Sequence, residues 1–74
     1  MRMFELHVDG RVVAEAERLT HALHAAVVLA AEEAAPVEVY DRDRWVATTT
    51  VKGGRVTTRI GQGTQKFYEE AGSL

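Results

Sequence analysis

The fold is decided near the start of the chain, where residues 3–17 read MFELHVDGRVVAEAE. In its first half, the apolar residues Phe4, Leu6 and Val8 alternate with other residues. This alternation is typical of a half-buried β-strand. Asp9-Gly10 is a strong turn signal. A second alternating segment, residues 11–17, follows the turn, so the stretch predicts a β-hairpin.

The length of the loop decides which side chains of this hairpin share a face. A two-residue loop, Asp9-Gly10, places Val8 opposite Arg11, and the apolar sides of the two strands then face opposite ways. A three-residue loop over residues 8–10, with Gly10 in a G1 bulge, brings the apolar sides together. We therefore expect the bulged loop, which pairs Leu6 with Val12 and Phe4 with Ala14.

A helix and three further strands are predicted after the hairpin. Residues 20–34 carry an alanine-rich apolar stripe at helical spacing, with Thr20 as a candidate N-cap and Pro36 ending the helix. Gly53-Gly54 predicts a two-residue hairpin turn that pairs Val51 with Val56. The three predicted strands span residues 37–41, 45–51 and 55–60.

The element order β-β-α-β-β-β predicts an α+β fold, with one helix packed on one face of a mostly antiparallel five-stranded sheet. Residues 1–61 are expected to form this single small domain. Residues 62–74 are expected to form a flexible or docking C-terminal tail with a short helix from Thr64.

Simple alternation predicts which residues of the fourth strand face the helix. Trp45 is expected to face it together with Ala47, and Val46 is expected to lie on the opposite face. Val37 and Val39 join the helix side only if the loop after the third strand has an odd length.

Length and composition exclude several classes of protein. A chain of 74 residues with 46% apolar and 27% charged residues is a single globular domain rather than a disordered chain. It contains no cysteine, which excludes disulfides and thiolate chemistry. The longest uncharged stretch, residues 19–31, is too short to span a bilayer, and no signal peptide is recognisable. A cytoplasmic protein without membrane association is expected.

Residues that suggest chemistry are few. His21 and His24 lie one helical turn apart with Glu17 before them, but no third strong ligand is fixed nearby, so solvated surface histidines are expected. Gly61-Gln62-Gly63 lacks the lysine and hydroxyl residue of a phosphate-binding loop and is interpreted as a flexible joint. The sequence predicts no catalytic residue, metal site, cofactor or small-molecule ligand, and the protein is not expected to be an enzyme.

The sheet face away from the helix, named the open face below, is the main functional candidate. A small core and aromatic residues in the tail favour self-association or the binding of a protein partner. The leading prediction is therefore an interaction module that forms a homo-oligomer or binds another protein. The candidate surface residues are Val13, Tyr40, Val46, Phe67 and Tyr68.

A basic cluster supports a second hypothesis. The segment from residue 52 to residue 66 contains no acid. Its basic residues could contact the phosphates of RNA or DNA. They are Lys52, Arg55, Arg59 and Lys66. The formal net charge of −2 opposes this hypothesis.

The chain after the first hairpin resembles a known nucleic-acid-binding family. Three strands followed by residues 60–66, IGQGTQK, and a short helix are similar to the end of a double-stranded-RNA-binding domain. With the preceding helix, the order α-β-β-β-α also matches. The resemblance implies phosphate contacts at the start of the last helix, where only Lys66 takes the place of that family's basic cluster. The resemblance covers about two-thirds of the chain in the order of its elements, but only a few residues in sequence.

Overall fold

The computed structural model describes residues 3–61 and shows one helix packed against one five-stranded sheet. Its strand order is β2-β1-β3-β4-β5, and every neighbouring pair is antiparallel. The predicted α+β fold is confirmed. The tail predicted over residues 62–74 lies outside the described residues. The elements are β1 Phe4–Val8, β2 Arg11–Ala16, α1 Leu19–Glu33, β3 Val37–Asp41, β4 Arg44–Lys52 and β5 Arg55–Ile60.

The core lies between α1 and the inner side of the sheet. α1 packs mainly across β4 and β3 and contributes an alanine-rich face, so it can approach the sheet closely. The buried hydrophobic residues are Phe4, Leu6, Val8, Leu19, Ala22, Ala26, Ala30, Val37, Val39, Val46 and Ala47. Thr49 is also fully buried, and its hydroxyl lies 3.1 Å from that of Thr58.

The ends of α1 differ slightly from the prediction. The N-cap is Arg18, not Thr20; its side chain makes no capping hydrogen bond, but its carbonyl accepts one from the amide of Ala22 at 2.9 Å. Ala34, at the C-cap, has φ +51°, a left-handed conformation that usually favours glycine. Pro36 follows two residues later, as expected for a residue that cannot continue a helix.

The predicted three-residue loop of the first hairpin is wrong. Asp9 and Gly10 form a two-residue turn with φ +51° and +78°, as in a type I′ turn, and Val8 pairs with Arg11. The register then shifts: His7 pairs with Val12, but Leu6 pairs with Ala14.

A bulge at Val13 within β2 therefore brings the apolar sides of the hairpin together. Phe4 consequently pairs with Ala16 instead of Ala14. Val12 lies opposite His7, on the side away from the helix, and is 50% exposed. The expected inward position of Val12 is wrong for this reason.

A second bulge corrects the prediction for β4. The turn after β3 also contains two residues, Arg42 and Asp43, since Asp41 pairs with Arg44. Tyr40 then pairs with Trp45, whereas Val39 pairs with Ala47.

The residue left between these pairs is Val46, which is only 1% exposed and belongs to the core. Trp45 shares the face of its partner Tyr40, away from the helix, because directly opposed residues share a face. The sequence-based orientations of Trp45 and Val46 were therefore both wrong. The bulge keeps Val37 and Val39 on the helix side without the odd-length loop that alternation alone requires.

The last hairpin agrees with the prediction. Gly53 and Gly54 have φ +55° and +79°, and Val51 pairs with Val56 as expected. The pairing continues without a register shift to the pair of Ala47 and Ile60. β5 is exposed along its whole length, because α1 lies over the other strands.

Candidate interaction face

The open face is the sheet surface opposite α1, and no element within residues 3–61 covers it. Because opposed residues of an antiparallel sheet share a face, the strand register identifies its members. They are Glu5, His7, Val12, Glu15, Glu38, Tyr40, Trp45, Thr48, Thr50, Lys52, Arg55, Thr57 and Arg59.

Three aromatic side chains lie near one another on the open face, toward the end of the sheet where the turn between β3 and β4 lies: His7, Tyr40 and Trp45. The rings of His7 and Tyr40 are in contact, with centroids 4.5 Å apart and planes tilted by 35°. Nε2 of His7 lies 3.2 Å from a carboxylate oxygen of Glu5, two residues away on the same strand. The His7 side chain is 20% exposed, so its ring is held between a neighbouring aromatic group and an acid.

Trp45 is fixed at two points. Its indole Nε1 donates a 2.8 Å hydrogen bond to the hydroxyl of Thr48. On the other side, a Cβ atom placed on Gly61 would lie 3.2 Å from two ring carbons, so only a glycine fits against this ring without displacement. The amide of Gly61 also donates a 2.8 Å hydrogen bond to the carbonyl of Val46, which anchors this backbone to the bulge.

Charge is divided across the open face. Three acids lie on one half of it, on β2, β1 and β3: Glu15, Glu5 and Glu38. Three bases lie on the other half, on β4 and β5: Lys52, Arg55 and Arg59. The aromatic residues lie in both halves, with His7 and Tyr40 among the acids and Trp45 on the first strand of the basic half.

The predicted surface residues are only partly brought together. Tyr40 lies on the open face, on the middle strand of the sheet close to the turn between β3 and β4, and is half-buried. Val13 is the bulge residue of β2 and is 39% exposed. Val46 is in the core, so its prediction as a surface residue is wrong. Phe67 and Tyr68 lie outside the described residues.

Three of the four basic candidates share one region of the structure. Lys52 and Arg55 are directly opposed at the end of the last hairpin, and Arg59 is opposite Thr48. Lys66 lies outside the described residues.

Sequence reasoning missed Trp45 and Val12 as members of the open face. The signal for Trp45 was the length of the turn after β3. A two-residue turn at Arg42-Asp43 pairs Asp41 with Arg44 and therefore aligns Tyr40 with Trp45.

Away from the open face, the described residues include two exposed histidines on α1 and a shallow pocket at the end of that helix. Residues 3–61 contain no group of three or more histidine, aspartate or glutamate side chains that could hold a metal ion. His21 and His24 are both exposed on α1. In the same part of the chain, no helix has the length and apolar character needed to cross a membrane. A shallow pocket at the end of α1 contains one ionisable group and is lined by Ala34, Ala35, Pro36, Thr50, Val51 and Lys52.

Comparison with known proteins returned no matching family model, characterised protein or solved structure. The resemblance to double-stranded-RNA-binding domains therefore stays a prediction.

Proposed function

We propose that the protein is a non-enzymatic, cytoplasmic interaction module that self-associates and acts by binding a protein partner through its open face. The observation that carries this proposal is the position of Tyr40 and Trp45, side by side on neighbouring strands of a face that no described element covers. Buried aromatic anchors contribute much of the binding energy at many protein interfaces.

The hydrogen bonds of Trp45 strengthen this argument. An indole has a single N–H donor, and here Thr48 accepts it. The ring therefore needs no polar group from a partner and offers apolar surface held in one orientation. A fixed aromatic ring loses little conformational entropy when it binds, which favours affinity.

The divided charge supplies specificity. A partner with a basic patch beside an acidic one matches the acidic and basic halves of the open face in one orientation only. Charge complementarity of this kind increases the rate of association and excludes partners with the opposite arrangement.

The test compares proteins captured from native cell extract by three forms of the chain. They are the wild type, Tyr40→Thr and the control Val28→Thr, which replaces an apolar residue 46% exposed on the helix. Both variants introduce threonine, so they differ mainly in the face that is changed. The extract is divided, and one half is treated with nuclease before capture.

The proposal predicts specific proteins that the wild type and Val28→Thr capture equally, that Tyr40→Thr captures at least about tenfold less, and that nuclease does not remove. Equal capture by all three forms would refute a role for the open face. Capture that depends on intact nucleic acid would favour the second candidate.

The second candidate is binding of RNA or DNA. It is favoured by the register that places Lys52, Arg55 and Arg59 on the same face as the Trp45 ring. Basic groups beside an aromatic ring are a common arrangement for binding single-stranded nucleic acid. The three acids on the other half of the face and the net charge of −2 oppose it.

Fluorescence anisotropy with labelled duplex RNA, single-stranded RNA and DNA at low salt tests this candidate. Binding should weaken steeply as salt is added and should be lost in the double variant Arg55→Glu/Arg59→Glu. No change in anisotropy with any of the three probes would refute it.

A further inference from the structure

The two edges of the sheet differ in how well they are protected. β2, at one edge, carries the bulge at Val13, and bulges discourage pairing with another strand. β5, at the other edge, pairs with β4 without any register shift and contains no proline. β5 is therefore a regular edge strand that could accept a further strand.

The backbone of β5 directs the main-chain groups of alternate residues to this edge, where no further strand of residues 3–61 pairs with it. Main-chain N–H and C=O groups of an antiparallel strand point alternately to its two neighbours. Lys52 and Arg55 close a two-residue turn and form a hydrogen-bonded pair, and Gly61 also bonds inward, to Val46. The main-chain N–H and C=O groups of residues 55, 57, 59 and 61 therefore face β4. Those of residues 56, 58 and 60 face outward, away from β4.

The same three residues present apolar surface on the helix side of the sheet. Val56 is 48% exposed and Ile60 is 39% exposed, with Thr58 between them. This side of β5 has apolar side chains but no cover from α1, which packs mainly on β4 and β3.

We propose that β5 pairs antiparallel with β5 of a second copy of the chain, with Thr58 on the two-fold axis, to form a continuous ten-stranded sheet. In this register Val56 of each copy lies opposite Ile60 of the other, and the two Thr58 residues face each other. Each of these pairs uses outward-directed main-chain groups, so each exchanges hydrogen bonds across the axis. The proposal places the self-association of the proposed function at β5 and rests on that part of it.

Charge selects this register over its nearest competitor. A two-fold axis at Thr57 would place Arg55 directly opposite Arg59 of the second copy, and like charges in that position are destabilising. With the axis at Thr58, Arg59 lies opposite Thr57 instead. The arginines thus permit one alignment and disfavour the other.

The area of contact sets the expected strength of the dimer. A six-residue strand pairing through its edge buries less surface than the roughly 1,600 Å² of a typical stable interface. We therefore expect a reversible dimer with a dissociation constant in the micromolar range or weaker.

The experiment is sedimentation velocity on the full chain from micromolar to millimolar concentration, together with amide hydrogen exchange followed by NMR. The wild type should dimerise. The amides of Val56, Thr58 and Ile60 should become protected as concentration rises, whereas those of Arg55, Thr57 and Arg59 should be protected at all concentrations.

Two variants break the contact by different means. Val56→Lys places a charge opposite Ile60 of the second copy and should raise the dissociation constant at least about tenfold. Thr58→Pro removes an outward N–H at an edge position where proline can be accommodated, and should also abolish dimerisation. Circular dichroism verifies that each variant is folded. The control Val28→Lys, at a comparably exposed helix position, should dimerise like the wild type.

A strict monomer at millimolar concentration would overturn this proposal and the self-association, but it would leave partner binding to be decided by the capture experiment. A dimer that persists in Val56→Lys but is lost in Tyr40→Thr would place self-association on the open face. A dimer that persists in both, without concentration-dependent protection at residues 56, 58 and 60, would also overturn the β5 pairing.

Discussion

Replacing Val46 by alanine tests the bulge that decides which residues form the core and which form the open face. Val46 is 1% exposed in the structure, whereas simple alternation would place it on the surface. The matched control is Val13→Ala, which makes the same chemical change at the other bulge, where the residue is 39% exposed.

The expected cost of Val46→Ala has two parts. Removing two methyl groups from a buried site loses about 1.6 kcal/mol of transfer free energy, at ~0.8 kcal/mol per group. A residual cavity on the order of 40 Å³ adds about 1 kcal/mol. The total is about 2.5 kcal/mol, whereas Val13→Ala should cost under about 1 kcal/mol because its side chain is already partly in water. Both variants lose the same β-branched side chain, so that effect largely cancels in the comparison.

Urea denaturation followed by far-UV circular dichroism measures this difference. At an m-value of about 1 kcal/mol per molar urea, Val46→Ala should lower the midpoint by about 2.5 M, and Val13→Ala by less than about 1 M. The measurement is made on dilute protein, so that dissociation of a dimer does not contribute. If the two variants lose stability to within about 0.5 kcal/mol of each other, Val46 is not in the core and the bulge is misplaced.

Three further substitutions test local features of the structure. Ala34→Gly should raise the free energy of unfolding by about 0.5–1 kcal/mol in urea melts, because Ala34 has φ +51°, where a Cβ atom costs energy; a loss of stability would contradict this. Trp45→Phe should lower the free energy of unfolding by about 1 kcal/mol, because the hydrogen bond to Thr48 is lost. In a double-mutant cycle, the effects of Trp45→Phe and Thr48→Val should not add, because both substitutions remove the same hydrogen bond. Gly61→Ala should change the fluorescence of Trp45, the one tryptophan in the sequence, because the new Cβ would lie 3.2 Å from the ring; an unchanged spectrum would contradict that contact.

Local signals predicted the elements and the positions of the turns, because each depends on neighbouring residues. Gly53-Gly54 determines a two-residue turn and thereby the whole register of β4 and β5, as observed. Pro36 similarly limits the end of α1. The strand order did not follow from these signals: β3 beside β1 is one arrangement in which every neighbouring pair is antiparallel, and it is the one observed.

The faces of β2 and β4 could not be predicted in the same way, because their bulges have no local signal. An inserted residue reverses which later side chains face the core, and the same result can be reached by a longer loop. At Asp9-Gly10 the prediction was a three-residue loop that unites the apolar sides. The structure instead has a two-residue turn, and Val13 is the inserted residue of a bulge in β2. The choice depends on the low energy of a type I′ turn relative to a bulge, which a count of apolar residues does not measure.

The two turns and bulges also bear on function. The two-residue turns leave Val12 opposite His7 and Trp45 opposite Tyr40 on the open face, and the bulges at Val13 and Val46 then return later residues of each strand to the core side. On a face that only contacts water, polar residues at these positions would favour solubility. Bulges occur often where a side chain must be redirected next to a functional site. The same devices that fill the core therefore also leave apolar and aromatic side chains on the open face, which supports the proposal that this face binds a partner.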